Sequence, residues 1–422
     1  MKVTHRYSLE NFKLFVKPFE RVINTITLAG GRFIFVGGCV RDVLLNESPK
    51  DADAEVYGIP LSKLKQALEL VDIVSEVGKK FGVLKLKNYP IDISLPRLDT
   101  KTGPGHKGFS VKVDYSIPFR QAAKRRDLTI NAIGFDPVKN EILDPYEGVR
   151  DLNKRILRAV DSKTFVEDPL RGLRVAQFAS RFFMDPHKSL LFLCQTLDIT
   201  ELPHERIFEE IRKLLLLGKQ PSKGFLFLKE AKLLEQFCPW LAHLSESRWS
   251  HTLLALDQAV TVRPTEEDTA LVFMLSVMCS ALDPADTRSY LKSCVMKEKL
   301  KGSVSLILEK GHLILEAQRV ANKADLFWIG RELHKTGLSW RDLLLFLKTM
   351  NPKALWVTDL CEQVFATGAS NPKNLEPVIT GDHLIKKGLR PGKEFNDLLN
   401  RCLKIQYEQG ITNADRILEE IL

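Results

Sequence analysis

Near Leu157 the apolar residues of this chain change their period, and that change limits the possible folds more than any other feature. Before it, short apolar runs at residues 32–36, 52–56, 84–86 and 91–95 read as strands, with glycines and prolines between them. An amphipathic helix over about residues 9–27 precedes them. After Leu157, apolar residues recur three and four apart, as in Ile207, Ile211, Leu214 and Leu215, with Gly218 placed to end the helix. Strands and helices mixed in one part and helices alone in the rest imply separate units, so the expected class is α+β with helical units behind the mixed one. The 422 residues fit roughly two to four domains.

Composition narrows the function classes only a little. With 44% hydrophobic and 27% charged residues the chain has the makeup of a globular protein throughout, which excludes a largely disordered one. The formal net charge of +9 leans mildly toward a polyanionic partner. Seven cysteines, scattered and never spaced C-x-x-C, suggest reduced thiols and neither a disulfide framework nor a zinc knuckle. The opening residues carry no apolar run, and no window reaches the roughly 20 apolar residues of a membrane span. The expectation is a soluble, cytoplasmic protein that does not bind membranes.

The most informative stretch is FIFVGGCVRDVLLNESPKDADAE, residues 33–55. An apolar strand runs into Gly37 and Gly38 and then into a helix, a turn at which backbone N–H groups approach a phosphate closely, with Arg41 one turn further on. A Gly-Gly pair alone is also compatible with a plain tight turn. The next strand bears Asp51 and Asp53, two apart and so on one face, where their repulsion is relieved by solvent or by a cation such as Mg²⁺. Asp92, alternating with apolar neighbours on another strand, either faces the same site or points outward. The string RRDLTINAI, residues 125–133, clusters Arg126, Asp127 and Asn131 at a helix start, suited to ribose and phosphate or to an ordinary salt-bridged helix. Lys101, Thr102, Gly103, Gly105 and His106 belong to the most loop-like stretch, residues 101–108.

The string EDPLRGLR, residues 167–174, sets Asp168 and Arg171 at i, i+3 on a helix that tolerates Pro169 in its first turn, with Arg174 following. The pair reads either as a surface ion pair or as a base reader. In the second reading the carboxylate accepts from an exocyclic amine and the guanidinium donates to a ring acceptor, a pattern that cytosine and adenine share and that uracil and guanine reverse.

In their order GGCVRD, KDADAEV, RRDLTINAI, DPYEGVRDL and EDPLRGLR resemble the class II tRNA nucleotidyltransferases, CCA-adding enzymes whose polymerase β-like nucleotidyltransferase head is shared with bacterial poly(A) polymerases. The likeness continues through HERIFEEI, residues 204–211, to the tail string at residues 379–395. It implies a leader at 1–30, a catalytic head at 31–157, a neck with the base-reading helix at 158–225, a helical body at 226–360 and a tRNA-binding tail at 361–422, the last three all-helical. By resemblance, Asp51 and Asp53, with Asp92 as a further candidate, hold two Mg²⁺ ions. Gly37, Gly38 and Arg41 hold the triphosphate, Arg126, Asp127 and Asn131 the sugar and its surroundings, and Asp168 with Arg171 the base, with Arg174 a further nucleotide-binding residue. The implied reaction is attack of a tRNA 3′-hydroxyl on the α-phosphate of CTP or ATP with release of pyrophosphate, and the loop at 101–108 is implied to help the change from C to A addition. Alternatives are an enzyme adding only C-C or only A, a poly(A) polymerase, or an RNA-binding protein without catalysis, which two retained repelling carboxylates speak against. One departure stands out. Relatives with a metal-dependent phosphohydrolase domain carry adjacent His-Asp on a later helix, where this chain reads VFMLSVMCS, residues 272–280. His251 is therefore expected to be structural, with no second activity.

Overall fold

The computed structural model describes residues 9–77, 82–101, 109–294, 297–321, 340–351, 376–392, 394–409 and 413–421, together with Trp356, Asp359 and Ile411. Two compact units divide the chain, one of Met1–Glu210 with Lys223–Phe237 and the other of Ile211–Ser222 with Cys238–Leu422.

The first unit begins with α1 (Leu9–Val16), a 3₁₀ turn (Lys17–Phe19) and α2 (Glu20–Leu28). The single helix expected here is broken because Pro18 has no N–H to donate and its ring crowds the preceding turn. Strands β1 (Arg32–Val36) and β2 (Ala52–Tyr57) flank α3 (Gly38–Leu44), and α4 (Leu61–Glu69) leads to β3 (Val74–Val77), β4 (Val83–Leu86) and β5 (Ile91–Ser94). A separate hairpin, β6 (Arg97–Lys101) and β7 (Phe109–Val113), precedes α5 (Phe119–Ala123), and β8 (Gly134–Asp136) and β9 (Glu141–Leu143) complete the sheet. Its seven strands run in the order β3-β4-β5-β2-β1-β8-β9, antiparallel except for the parallel pair β2 and β5. Three helices follow, α6 (Gly148–Lys154), α7 (Ser162–Phe165) and α8 (Leu170–Phe182).

Strand β1 is buried on both faces, which explains its unbroken run of apolar residues. On one face Phe35 packs with Phe15 and Phe19 of the leader, at ring-centroid distances of 4.8 and 5.7 Å. On the other, Ile34 and Val36 join Tyr57, Ile117 and Ala122. With β1 clamped from both sides, the Gly37–Gly38 turn at its end is carried on a firm support.

The second unit is helical, as the change of period implied. Helices Glu246–Val262, Glu267–Cys279, Glu298–Ala321 and Trp340–Met350 make its main body, and Ile379, Leu384, Cys402, Ile417 and Leu418 form a separate small core near the end of the chain. Phe273, Met274, Leu275, Val277 and Met278 are buried on the helix that lacks His-Asp. His251 is exposed, so it is not part of that core as a structural role would require. Among the described residues no helix is long and apolar enough to cross a membrane, and Cys39, Cys194, Cys238, Cys279 and Cys402 are buried free thiols.

Candidate active site

The strand register brings the acidic residues together. Asp53 of β2 lies directly opposite Asp92 of β5, and in a parallel pair such partners project to the same face. Asp51, just ahead of β2, is exposed like Asp53, and Asp92 is partly so. The protein around Asp53 pushes its carboxyl above the usual range; Arg126 opposes this, while Asp92, Asp51 and Glu55 add to it. Asp92 is already paired, its Oδ1 2.9 Å from Nζ of Lys85 on β4. Among the described residues no three acidic, histidine or cysteine side chains converge into a closed metal cage. The arrangement is an open carboxylate edge with one ammonium beside it, the kind of site in which Mg²⁺ keeps water and substrate oxygens in its shell. A cavity of about 440 Å³ opens next to Asp51, between α1 and the segment leading into β2.

Behind this edge lies a frame of guanidinium groups. Gly37 has φ of +77°, the left-handed region, so the backbone favours glycine, and a Cβ there would stand 2.6 Å from Nη1 of Arg126 and push the end of that side chain aside. Its N–H donates to Ile133 O at 3.2 Å and is thus not the phosphate donor expected from sequence. Arg41 also departs from expectation. Its side chain is only 5% exposed, donating to Asp42 Oδ1 through Nε (2.8 Å) and Nη2 (2.6 Å) and to Asn131 Oδ1 through Nη1 (2.6 Å), with its guanidinium over the rings of Phe178 and Phe182 on α8. Burial pulls its pKa down against the support of Asp42. An arginine spent this way holds the turn in place and is not open to a triphosphate.

Asp127 and Asn131 continue the frame. Asn131 Nδ2 donates to Asp127 Oδ1 at 3.0 Å, and Arg174 Nε of α8 donates to Asp127 Oδ2 at 2.7 Å. Burial by itself pushes the Asp127 carboxyl up, but Arg174, Asn131 and the Leu128 N–H outweigh it and hold it at about 2. The helix expected at residues 125–133 is a single 3₁₀ turn, Thr129–Asn131. Thr129 N–H donates to Arg158 O and Val160 N–H to Asp127 O, so this backbone pairs with the segment after α6 and cannot continue a helix.

Asp168 and Arg171 are not an ion pair with each other. Asp168 precedes α8 and is bound by Arg206 Nη2 at 3.3 Å and by the Leu170 N–H at 3.3 Å. Arg171 donates through Nη1 to Thr164 O (3.0 Å) and through Nη2 to Arg125 O (2.7 Å). Lys101 ends β6, opposite Phe109 of β7, and Thr102, Gly103, Gly105 and His106 of the loop lie outside the described residues.

Sequence reasoning missed Glu55, Arg125 and Arg206. Glu55 follows Asp53 by two on the same strand, a spacing visible in KDADAE, and Arg206 lies in the quoted HERIFEEI; neither string showed what the residue would touch.

Such a sheet, with a glycine turn beside an open carboxylate edge, is the arrangement expected from the sequence for residues 31–157. Residues 33–158 match the Poly A polymerase head domain, and residues 195–244 match the family described as a probable RNA and SrmB-binding site of polymerase A. The chain is 34% identical over 262 residues to a Multifunctional CCA protein of Xanthomonas campestris pv. campestris, covering 60% of each, and 37% identical over 269 residues to that of Haemophilus ducreyi, covering 58% of this chain and 62% of the relative. The match therefore spans about three fifths of the length of these curated relatives. In fold it is similar to the Thermotoga maritima CCA-adding enzyme complexed with tRNA, with a TM-score of 0.72 at 19% identity over 100% of this chain and 99% of that one. It is also similar to the Bacillus stearothermophilus CCA-adding enzyme in complex with CTP, with a TM-score of 0.69 at 21% identity over 96% and 97%. Over residues 33–158 the chain is thus similar to the head domain of poly(A) polymerases, and over about three fifths of its length to the Multifunctional CCA proteins.

Proposed function

We propose that the protein adds the nucleotides of CCA to the 3′ end of tRNA, taking them from CTP and ATP and releasing pyrophosphate. The single observation that carries this reading is the exposed pair Asp51 and Asp53, with Asp92 in register beside them, at the mouth of a rigidly held glycine turn. Burial raises the Asp53 carboxyl and the neighbouring carboxylates add to it, which fits a site made for Mg²⁺. Asp51 and Asp53 would hold the ions, with Asp92 available once released from Lys85. Bound Mg²⁺ supplies charge for the phosphates and lowers the pKa of an attacking hydroxyl.

The remaining roles follow from which groups are already engaged. Arg41, Asn131 and Asp127, all buried, and the partly exposed Arg174 form a bonded chain from the glycine turn to α8, which keeps turn and helix in one geometry. Arg126 lies beneath Gly37 and next to Asp53, where its charge faces that of an arriving triphosphate. Asp168 and Arg171 present the acceptor and donor that match cytosine and adenine, once their present partners are exchanged for a base. The helical second unit would meet the tRNA by shape and phosphate charge, as A-form RNA is poorly read by sequence.

Incubating tRNAs ending in the discriminator base, in C and in C-C with labelled CTP or ATP tests the reading. C should enter the first two and A the third. Long A tails from ATP alone would assign the chain to poly(A) synthesis instead, and A on none of the three would leave a C-C-adding enzyme.

A further inference from the structure

We propose that Glu55 is a positioning residue for nucleotide selection, tying the strand that carries Asp53 to the arginine that faces the base. The proposal rests on the base-reading assignment of Arg171 made above. Glu55 lies two residues beyond Asp53 on β2, with only 1% of its side chain exposed. Its carboxylate lies between two guanidinium groups and a hydroxyl, those of Arg125, Arg126 and Tyr57. It accepts from Arg125 Nη2 at 3.0 Å, from Arg126 Nη2 at 3.1 Å and from Tyr57 OH at 2.6 Å.

What this anion holds is a single peptide unit. The carbonyl that receives Arg171 Nη2, at 2.7 Å, is that of Arg125, in the peptide joining the two arginines whose side chains Glu55 grips. The first of the pair thus orients Arg171. The second, Arg126, sends Nη1 to Asn131 O at 3.3 Å and fills the space under Gly37. One buried carboxylate therefore sets both the floor of the glycine turn and the angle of the base-facing guanidinium. Charge-assisted bonds to one anion fix two neighbouring side chains far better than neutral ones would. Removing the charge takes away the one anion that the two guanidinium groups share, and the peptide between them is held less firmly.

A purely structural role and a positioning role differ in what they scale. Lost fold lowers the amount of active enzyme and so reduces every nucleotide's rate alike, whereas a turned Arg171 changes the ratio between nucleotides. The experiment measures kcat/KM for CTP, UTP, ATP and GTP on tRNA ending in the discriminator base and in C-C, with thermal melting alongside. The full-length Glu55→Gln, Arg125→Ala and Arg171→Ala variants are compared with the wild type. Glu55→Gln keeps the shape and loses the charge; Arg125→Ala keeps Glu55 paired with Arg126 and Tyr57 and serves alone if Glu55→Gln does not fold. The expected result is a loss of about tenfold or more in the CTP over UTP preference in both, in the same direction as in Arg171→Ala. Wild-type preference in a folded Glu55→Gln, or in Arg125→Ala, overturns the inference while Arg171→Ala still shows the loss. Unchanged preference in Arg171→Ala itself, or no nucleotide transfer by the wild type, overturns the base-reading assignment and this inference with it.

Discussion

The carboxylate edge and the guanidinium frame are both crowded charge within one small region, and the protein handles them in opposite ways. At the edge, Asp51, Asp53 and Asp92 lie close together with Lys85 on Asp92 and the charge of Arg126 near Asp53, and part of their mutual repulsion is left in place. In the frame, Arg41, Asp42, Asn131, Asp127 and Arg174 are bonded one to the next. Unrelieved charge is what a cationic ligand can relieve, whereas satisfied charge inside the protein can only hold shape. The difference separates groups suited to chemistry from groups suited to positioning, although both sets come from the same motifs.

Variants of the two regions should accordingly fail in different ways. The largest effect is expected at the edge: Asp51→Ala or Asp53→Ala should lower nucleotide incorporation by more than about a hundredfold, with tRNA affinity and melting temperature nearly unchanged. A filter-binding assay run beside labelled-CTP incorporation checks both parts, and retention of more than about a hundredth of the rate contradicts the metal assignment. In the frame the loss should appear as stability. Arg41→Leu leaves Asp42 and Asn131 without their main donor and should cost about 3 kcal/mol, read as a lower urea midpoint. A variant as stable as the wild type but inactive would move Arg41 from the frame to the edge.

The smallest effect concerns pH. Asp127 is held at about 2 in the folded protein against 3.8 when free, so its stabilisation is fully present above pH 3.8 and is lost as pH falls toward 2. It amounts to about 2 kcal/mol. Asp127→Asn should remove that part of the acid limb of a stability curve, read as urea midpoints at successive pH values. An acid limb as steep in Asp127→Asn as in the wild type would contradict the bonded frame.

Much of this was legible in the chain. The periods of apolar residues placed β1, β2 and β5 to within a residue or two, because a strand's side chains alternate whatever it pairs with. The pair Asp51 and Asp53, the Gly-Gly turn and the helix behind Pro169 were read correctly as elements for the same local reason. The 3₁₀ turn at Thr129–Asn131 was not, since its backbone is taken by residues 158–160, a partner about thirty positions away.

Which residues are present and which face of a strand they share is set by covalent spacing, and the sequence alone therefore names the acidic pair, the glycine turn and the mixed-then-helical order. What each polar group binds depends on contacts between residues far apart in the chain. Arg41 became a buried support because α8 laid Phe178 and Phe182 over it, about 140 positions on. Asp168 took Arg206 as its partner instead of Arg171. Glu55, unremarkable in the string KDADAE, became the anchor of two arginines seventy positions later. A hydrogen bond is short and directional, so its partner is decided only when folding brings the two groups within about 3 Å.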